Sequence, residues 1–157
     1  MPIGKTFYSH GKLLLTGEYF ILAGATGLAL PTVFGQSLKI TPSTDRLIRW
    51  NSFDENGKIW FESSFNPEDF SSPNKDKVTA TLSKILQEAK NLNPHFLVEE
   101  YGKNIETRLE FSRHWGLGSS STLINNIAQW AEVDPFILLE KSFGGSGYDI
   151  AAAGSKG

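Results

Sequence analysis

Cysteine is absent from the 157 residues, which excludes disulfides, thiolate nucleophiles and cysteine-based zinc sites. Charge of either sign is nearly balanced. A net charge of −2 supplies no broad field for nucleic acid or an anionic membrane, so any bound anion must be held by a local site. Long apolar runs are missing too. The most apolar stretch, Phe20–Phe34, is broken by Gly24, Gly27 and Pro31 and falls short of a membrane span. Lys5 and Lys12 lie near the N-terminus, but no apolar segment closed by a small-residue cleavage site accompanies them, and a cytoplasmic, reducing compartment is expected. What is present, 39% apolar and 20% charged residues, is the balance of a single globular domain with a real core.

The pattern along the chain is α+β. Thr6–Ser9 and Lys12–Thr16 read as short strands around His10-Gly11, and Leu28–Leu30 and Gln36–Thr41 as two more. Leu47–Ser52 and Lys58–Ser63 flank Asp54-Glu55-Asn56-Gly57, whose Asn-Gly pair tolerates positive φ and predicts a hairpin. Polar, proline-containing 66–77 is a loop. Val78, Leu82, Ile85, Leu86 and Ala89 then keep the spacing of one buried helical stripe. Phe96–Tyr101 and Ile105–Phe111 predict a second hairpin around Gly102-Lys103-Asn104. A helix carrying Leu123, Ile124, Ile127, Ala128 and Ala131 on one side follows. Asp134-Pro135 reads as an N-cap with proline in the first turn, opening a last helix over Phe136–Ser142. The closing Gly-Ser-Lys-Gly reads as a loose end.

The chemistry concentrates where glycine meets reactive side chains. Trp115–Ser121 reads W-G-L-G-S-S-S and runs straight into a helical segment. Gly116 and Gly118 let the backbone turn tightly and approach a ligand, and Ser119, Ser120 and Ser121 bring hydroxyls to a helix start. The first N–H groups of a helix lack internal partners and carry partial positive charge, so this stretch can receive an anion such as phosphate. A plain serine N-cap is the alternative. Two further places qualify, His10-Gly11-Lys12 leading to Gly17-Glu18, and Gly144–Asp149. A lysine beside a phosphate loop, an aspartate able to accept or orient an alcohol proton, and a hydroxyl able to hold Mg²⁺ form a consistent phosphotransfer set. Taken singly, Lys12 also reads as a solvated strand residue and Asp149 as an N-cap. No P-loop occurs, Ser121 stands where a dinucleotide fingerprint needs its third glycine, and no G-x-S-x-G elbow is found. His10, His95 and His114 lack metal-ligand spacing and read as surface or loop residues.

Three motifs in order resemble those of the GHMP small-molecule kinases, which include galactokinase, homoserine kinase, mevalonate kinase and phosphomevalonate kinase. Gly11-Lys12, three leucines, a threonine and Gly17-Glu18-Tyr19 resemble the first motif. Gly116-Leu117-Gly118-Ser119-Ser120 resembles the second, and Ser146-Gly147-Tyr148-Asp149 resembles the S-G-x-D run. The mevalonate/phosphomevalonate branch is nearest in flavour, and G-S-G-Y-D-I-A suggests a GYDIA-type subgroup. The resemblance implies an N-terminal, ATP-binding domain over 1–157, like the second domain of ribosomal protein S5, with antiparallel-rich sheet covered by helices. It implies ATP and Mg²⁺ as cofactors. Asp149 becomes the catalytic carboxylate and Lys12 its charged partner. Gly116–Ser121 would wrap the phosphates, Ser120 and Glu140 would reach magnesium, and Glu18, Ser146 and Gly147 would border the acceptor.

Departures from the family pattern are local. His10 replaces proline before Gly-Lys, Tyr19 replaces histidine, Ser112 replaces the proline opening the second motif, and Ser121 stands where alanine is usual. None removes a charge the chemistry needs, though Tyr19 touches substrate identity. The family's C-terminal domain, with its third glycine-rich motif, is expected to be absent from these residues. Two readings follow. One is phosphoryl transfer to a hydroxyl or phosphate of a mevalonate-like or sugar-like metabolite. The other is a catalytically incompetent half-kinase that binds nucleotide or a partner, self-associating through the bared surface. An RNA-binding S5-like domain is disfavoured by the charge.

Overall fold

A computed structural model describes residues 4–15, 28–97, 102–112 and 119–142, with the backbone alone at 12–15, 28–33 and 119. Strands β1 (Lys5–Leu15) and β2 (Leu28–Pro42) form a long antiparallel ribbon. Next come β3 (Ile48–Phe53), β4 (Ile59–Phe65), helix α1 (Lys77–Leu92), β5 (Lys103–Leu109), α2 (Ser119–Ala131) and α3 (Pro135–Ser142). The sheet order is β1-β2-β5-β3-β4. Every pair is antiparallel except β3 with β5.

The two-residue period of the strands sets the layers. Leu38, Ile40, Ile48, Trp50 and Ile105 point into one buried cluster, whereas their neighbours Lys39 and Arg49 are exposed. Helix α1 adds Leu82, Ile85, Leu86 and Ala89 to that cluster, α2 adds Ile124, Ile127, Ala128 and Ala131, and α3 adds Leu138 and Leu139. The α+β reading and both helical stripes are therefore observed. Val78 is the exception on α1: it is 41% exposed, and Thr79 is buried in its place. The reason is the cap. Asp76 accepts hydrogen bonds from the Thr79 backbone N–H at 2.9 Å and its hydroxyl at 2.7 Å, which turns Thr79 inward.

The β3–β4 hairpin forms as its turn chemistry requires. Asp54 accepts from the N–H groups of Asn56 and Lys58, each at 2.9 Å, and Gly57 takes φ 79°. Asp134 likewise caps α3 through the Phe136 N–H at 2.8 Å. Three expectations are corrected. The strands read on either side of His10-Gly11 are one strand, and so are those read at 28–30 and 36–41. A local register shift absorbs the irregularity: His10 pairs with Gly35 and Lys12 with Pro31, so residues 32–34 face Gly11 alone.

The second hairpin does not form as expected. Ile105 has Ile40 of β2 on one side and Trp50 of β3 on the other, so both edges of β5 are occupied from Lys103 to Arg108. Phe96 and Leu97 lie in a turn. The Phe96 ring packs edge-on to Trp130, 4.8 Å between centroids, while Asn93 donates to the Ala131 carbonyl at 2.7 Å. Gly102 serves a close approach rather than a hairpin tip. A Cβ there would lie 2.3 Å from the carbonyl oxygens of both Asp45 and Leu47. Residues 98–101 and the closing 143–157 lie outside the described residues.

The Asp76 cap gives a pH prediction. The Thr79 hydroxyl, then the Thr79 backbone N–H, hold the Asp76 carboxyl below its ordinary value of 3.8. A depressed folded-state pKa stabilises fully above the unfolded value and is lost as pH falls through the folded one. Asp76→Ala is expected to lower the unfolding midpoint by a constant amount above about pH 5, with the gap to wild type closing below 3.8. Denaturant melts across that range check it; a gap that widens in acid contradicts it.

Candidate functional site

The serine cluster is the start of α2. Ser119, Ser120 and Ser121 occupy its first three positions, where backbone N–H groups have no intrahelical acceptor. Ser120 is exposed, so its hydroxyl faces solvent at the positive end of the helix. Ser121 is buried, at 5% exposure, which suits a slot where relatives of the motif carry alanine. Lys12 lies on β1, the strand against which α2 packs.

Both chain segments that lead to this place are clamped together. Glu110, one residue past β5, accepts from the Gly35 N–H at 2.8 Å and from the Tyr8 hydroxyl, and its own N–H donates to the Gly35 carbonyl at 2.9 Å. Burial, then the hydrogen bond and charge of Glu110, push the Tyr8 phenol well above its ordinary range, so Tyr8 stays protonated and donating. This clamp joins β1, β2 and the segment entering 113–118. Sequence reasoning missed it because its members are 75 and 102 residues apart, with no local pattern to mark them.

A cleft of about 380 Å³ opens beside the clamp, lined by Tyr8, Ser37, Asp54, Glu55, Arg108 and Glu110 among others. Three carboxylates stand against one guanidinium, and that guanidinium sits 4.1 Å from the centre of the Phe53 ring. Such a cleft repels phosphate. The α2 start is the better anion receptor.

Of the sequence-read site residues, Ser119, Ser120 and Ser121 come together at one helix end, next to the strand of Lys12. Glu140 is exposed on α3, which packs against α1 and α2. Gly116, Leu117, Gly118, Glu18, Ser146, Gly147 and Asp149 lie outside the described residues, as do His114, Trp115 and Tyr148. His95 is exposed in a turn, as expected, and His10 lies on β1 with its ring edge-on to Tyr8. Among the described residues no three His, Asp or Glu side chains converge as a metal site, and no helix is long and apolar enough to cross a membrane.

No family model matches the chain, and no curated protein matches its sequence. Solved structures do match. The Methanococcus jannaschii mevalonate kinase superposes on 96% of this chain with a TM-score of 0.65 at 13% identity. The fold is that of the N-terminal portion of the GHMP kinases. Streptococcus pneumoniae phosphomevalonate kinase, solved with phosphomevalonate and AMPPNP, covers 95% of the chain at TM-score 0.60 and 16% identity. Lactococcus lactis galactokinase, solved with galactose, covers 95% at TM-score 0.60 and 15% identity. The match spans 50%, 46% and 41% of those three chains, so this GHMP-kinase fold corresponds to about half of each.

Gly35 gives the prediction for this site. A Cβ there would lie 2.3 Å from the Ser9 carbonyl oxygen and 2.6 Å from the Tyr8 ring. The backbone atom cannot rotate away, so the ribbon must shift. Gly35→Ala is expected to destabilise by roughly 1–3 kcal/mol through overpacking. A lowered denaturant midpoint at unchanged slope checks it; an unchanged midpoint contradicts the clamp.

Proposed function

We propose that the chain is the N-terminal, nucleotide-binding part of a GHMP-type kinase. It would help move the γ-phosphoryl group of ATP onto a hydroxyl or phosphate oxygen of a small metabolite. The observation that carries the reading is the serine-led start of α2, with Ser120 exposed, on a helix that packs against the strand bearing Lys12, in a fold shared with kinases. The AMPPNP in the pneumococcal phosphomevalonate kinase structure supports an adenine nucleotide as the anion.

In this reading Gly116–Ser121 cradle the phosphates through backbone N–H groups and hydroxyls, and Lys12 balances the negative charge that spreads over the transferring group. Asp149 orients the acceptor oxygen and takes its proton as that oxygen bonds to the γ-phosphorus and ADP leaves. Ser146 and Gly147 present Asp149, and Glu18 borders the acceptor. Magnesium, if bound, would supply neutralisation of the phosphate charge. Ser120 and Glu140 would be its candidate protein ligands, since Mg²⁺ keeps several waters and asks for few protein ligands. Acceptors of mevalonate, phosphomevalonate or sugar type fit the neighbours.

Calorimetry with Mg·ATP tests the reading. The chain is expected to bind, and Lys12→Ala to weaken binding about tenfold or more through loss of a charge-assisted contact. Asp149→Ala is expected to leave ATP affinity within about twofold and to lower phosphoryl transfer by roughly a hundredfold. Turnover unchanged by Asp149→Ala contradicts the catalytic assignment. Binding without turnover by wild type favours the half-kinase reading, and no binding contradicts both.

A further inference from the structure

Helix α2 has a second stripe that meets the sheet, and it is polar, buried at Thr122, Asn125 and Asn126 and exposed at Gln129. Thr122, Asn125, Asn126 and Gln129 recur at i, i+3, i+4 and i+7, and meet Ser9 of β1 and Gln36 of β2. Ser9 and Asn126 are each 0% exposed. The Ser9 hydroxyl donates to Asn126 Oδ1 at 2.6 Å and accepts from Asn125 Nδ2 at 2.7 Å and Gln129 Nε2 at 3.4 Å. Asn126 Nδ2 donates to the Gln36 carbonyl at 2.9 Å, and Gln36 Nε2 donates to the Thr122 hydroxyl at 2.7 Å.

Burial alone does not require this seam. The apolar stripe Ile124, Ile127, Ala128 and Ala131 already packs α2 into the core. Apolar surfaces tolerate small slides and rotations because their attraction is non-directional. Hydrogen bonds weaken steeply off axis, and a buried amide that loses its partner carries its full desolvation penalty. A displacement of α2 by one residue breaks the bonds of Asn126, Gln36 and Thr122 at once. Thr122 directly follows Ser121, and Ser9 lies three residues before Lys12. The seam therefore ties the helix that begins at Ser119 to the strand that carries Lys12.

We infer that Asn126 is a positioning residue, which through Ser9 and the Gln36 carbonyl sets the start of α2 relative to the strand of Lys12. The inference rests on the phosphate reading above and assigns no contact between Asn126 and ligand. Its action is on the placement of the first-turn N–H groups.

The test compares Asn126→Leu with Ile85→Val, a core variant on α1 outside the seam, at equal fraction folded. Asn126→Leu is expected to weaken Mg·ATP binding about five- to twentyfold by calorimetry and, with Mg·ATP present, to speed amide exchange at Ser120–Thr122 relative to Ile127–Ala131. Ile85→Val, a change that only lowers stability, is expected to leave affinity and relative exchange unchanged. Ser9→Ala removes the hub hydroxyl and serves if Asn126→Leu does not fold; it is expected to act in the same direction. Wild-type affinity and first-turn protection in both seam variants overturn the inference and leave the phosphate reading standing. Failure of wild type to bind Mg·ATP overturns the phosphate reading and takes the inference with it.

Discussion

The structure depends on how α2 is seated on the β1–β2 ribbon. That seat is a line of side-chain amides and hydroxyls, with Asn126 bonded to one strand through Ser9 and to the other through the Gln36 carbonyl. Directional bonds at the buried Ser9 and Asn126 favour one register for the helix on the ribbon. The Tyr8–Glu110–Gly35 clamp does the complementary work. It fixes where the chain leaves β5 on its way to the same helix start.

Sheet order explains why these two fastenings meet. Because β5 is inserted between β2 and β3, its far end lies beside the ribbon, and only residues 110–118 separate it from α2. A short connection from a central strand to a helix start is where glycine and serine can present backbone N–H groups to an anion. The near-neutral net charge is compatible with the proposed site, in which local dipoles and one lysine would supply the attraction.

Sequence reasoning succeeded where the determinant is local. Asp54–Gly57 spells its own turn, Asp134-Pro135 its own helix start, and the apolar stripes of α1 and α2 their own buried faces. It failed where partners are distant or where one residue type has two uses. The pattern around Phe96 suggests a strand, but Phe96 lies in a turn and packs on Trp130. His10-Gly11 has the pattern of a break, though the long ribbon absorbs it. The Thr122, Asn125, Asn126 and Gln129 stripe has the spacing of a solvated helix face, and only the tertiary structure shows its first three members buried. At the site, the serines fall at a helix start as the glycine-serine pattern implied. Asp149 and Glu18 rest on motif likeness, because they lie outside the described residues.

The most direct measurement of the central claim is amide hydrogen exchange across α2 with and without Mg·ATP. If the helix start receives the phosphates, the N–H groups of Ser119–Ser121 gain protection on nucleotide addition, while those of α1 change little. Protection that arises elsewhere, with the first turn of α2 exchanging as fast as before, contradicts the account.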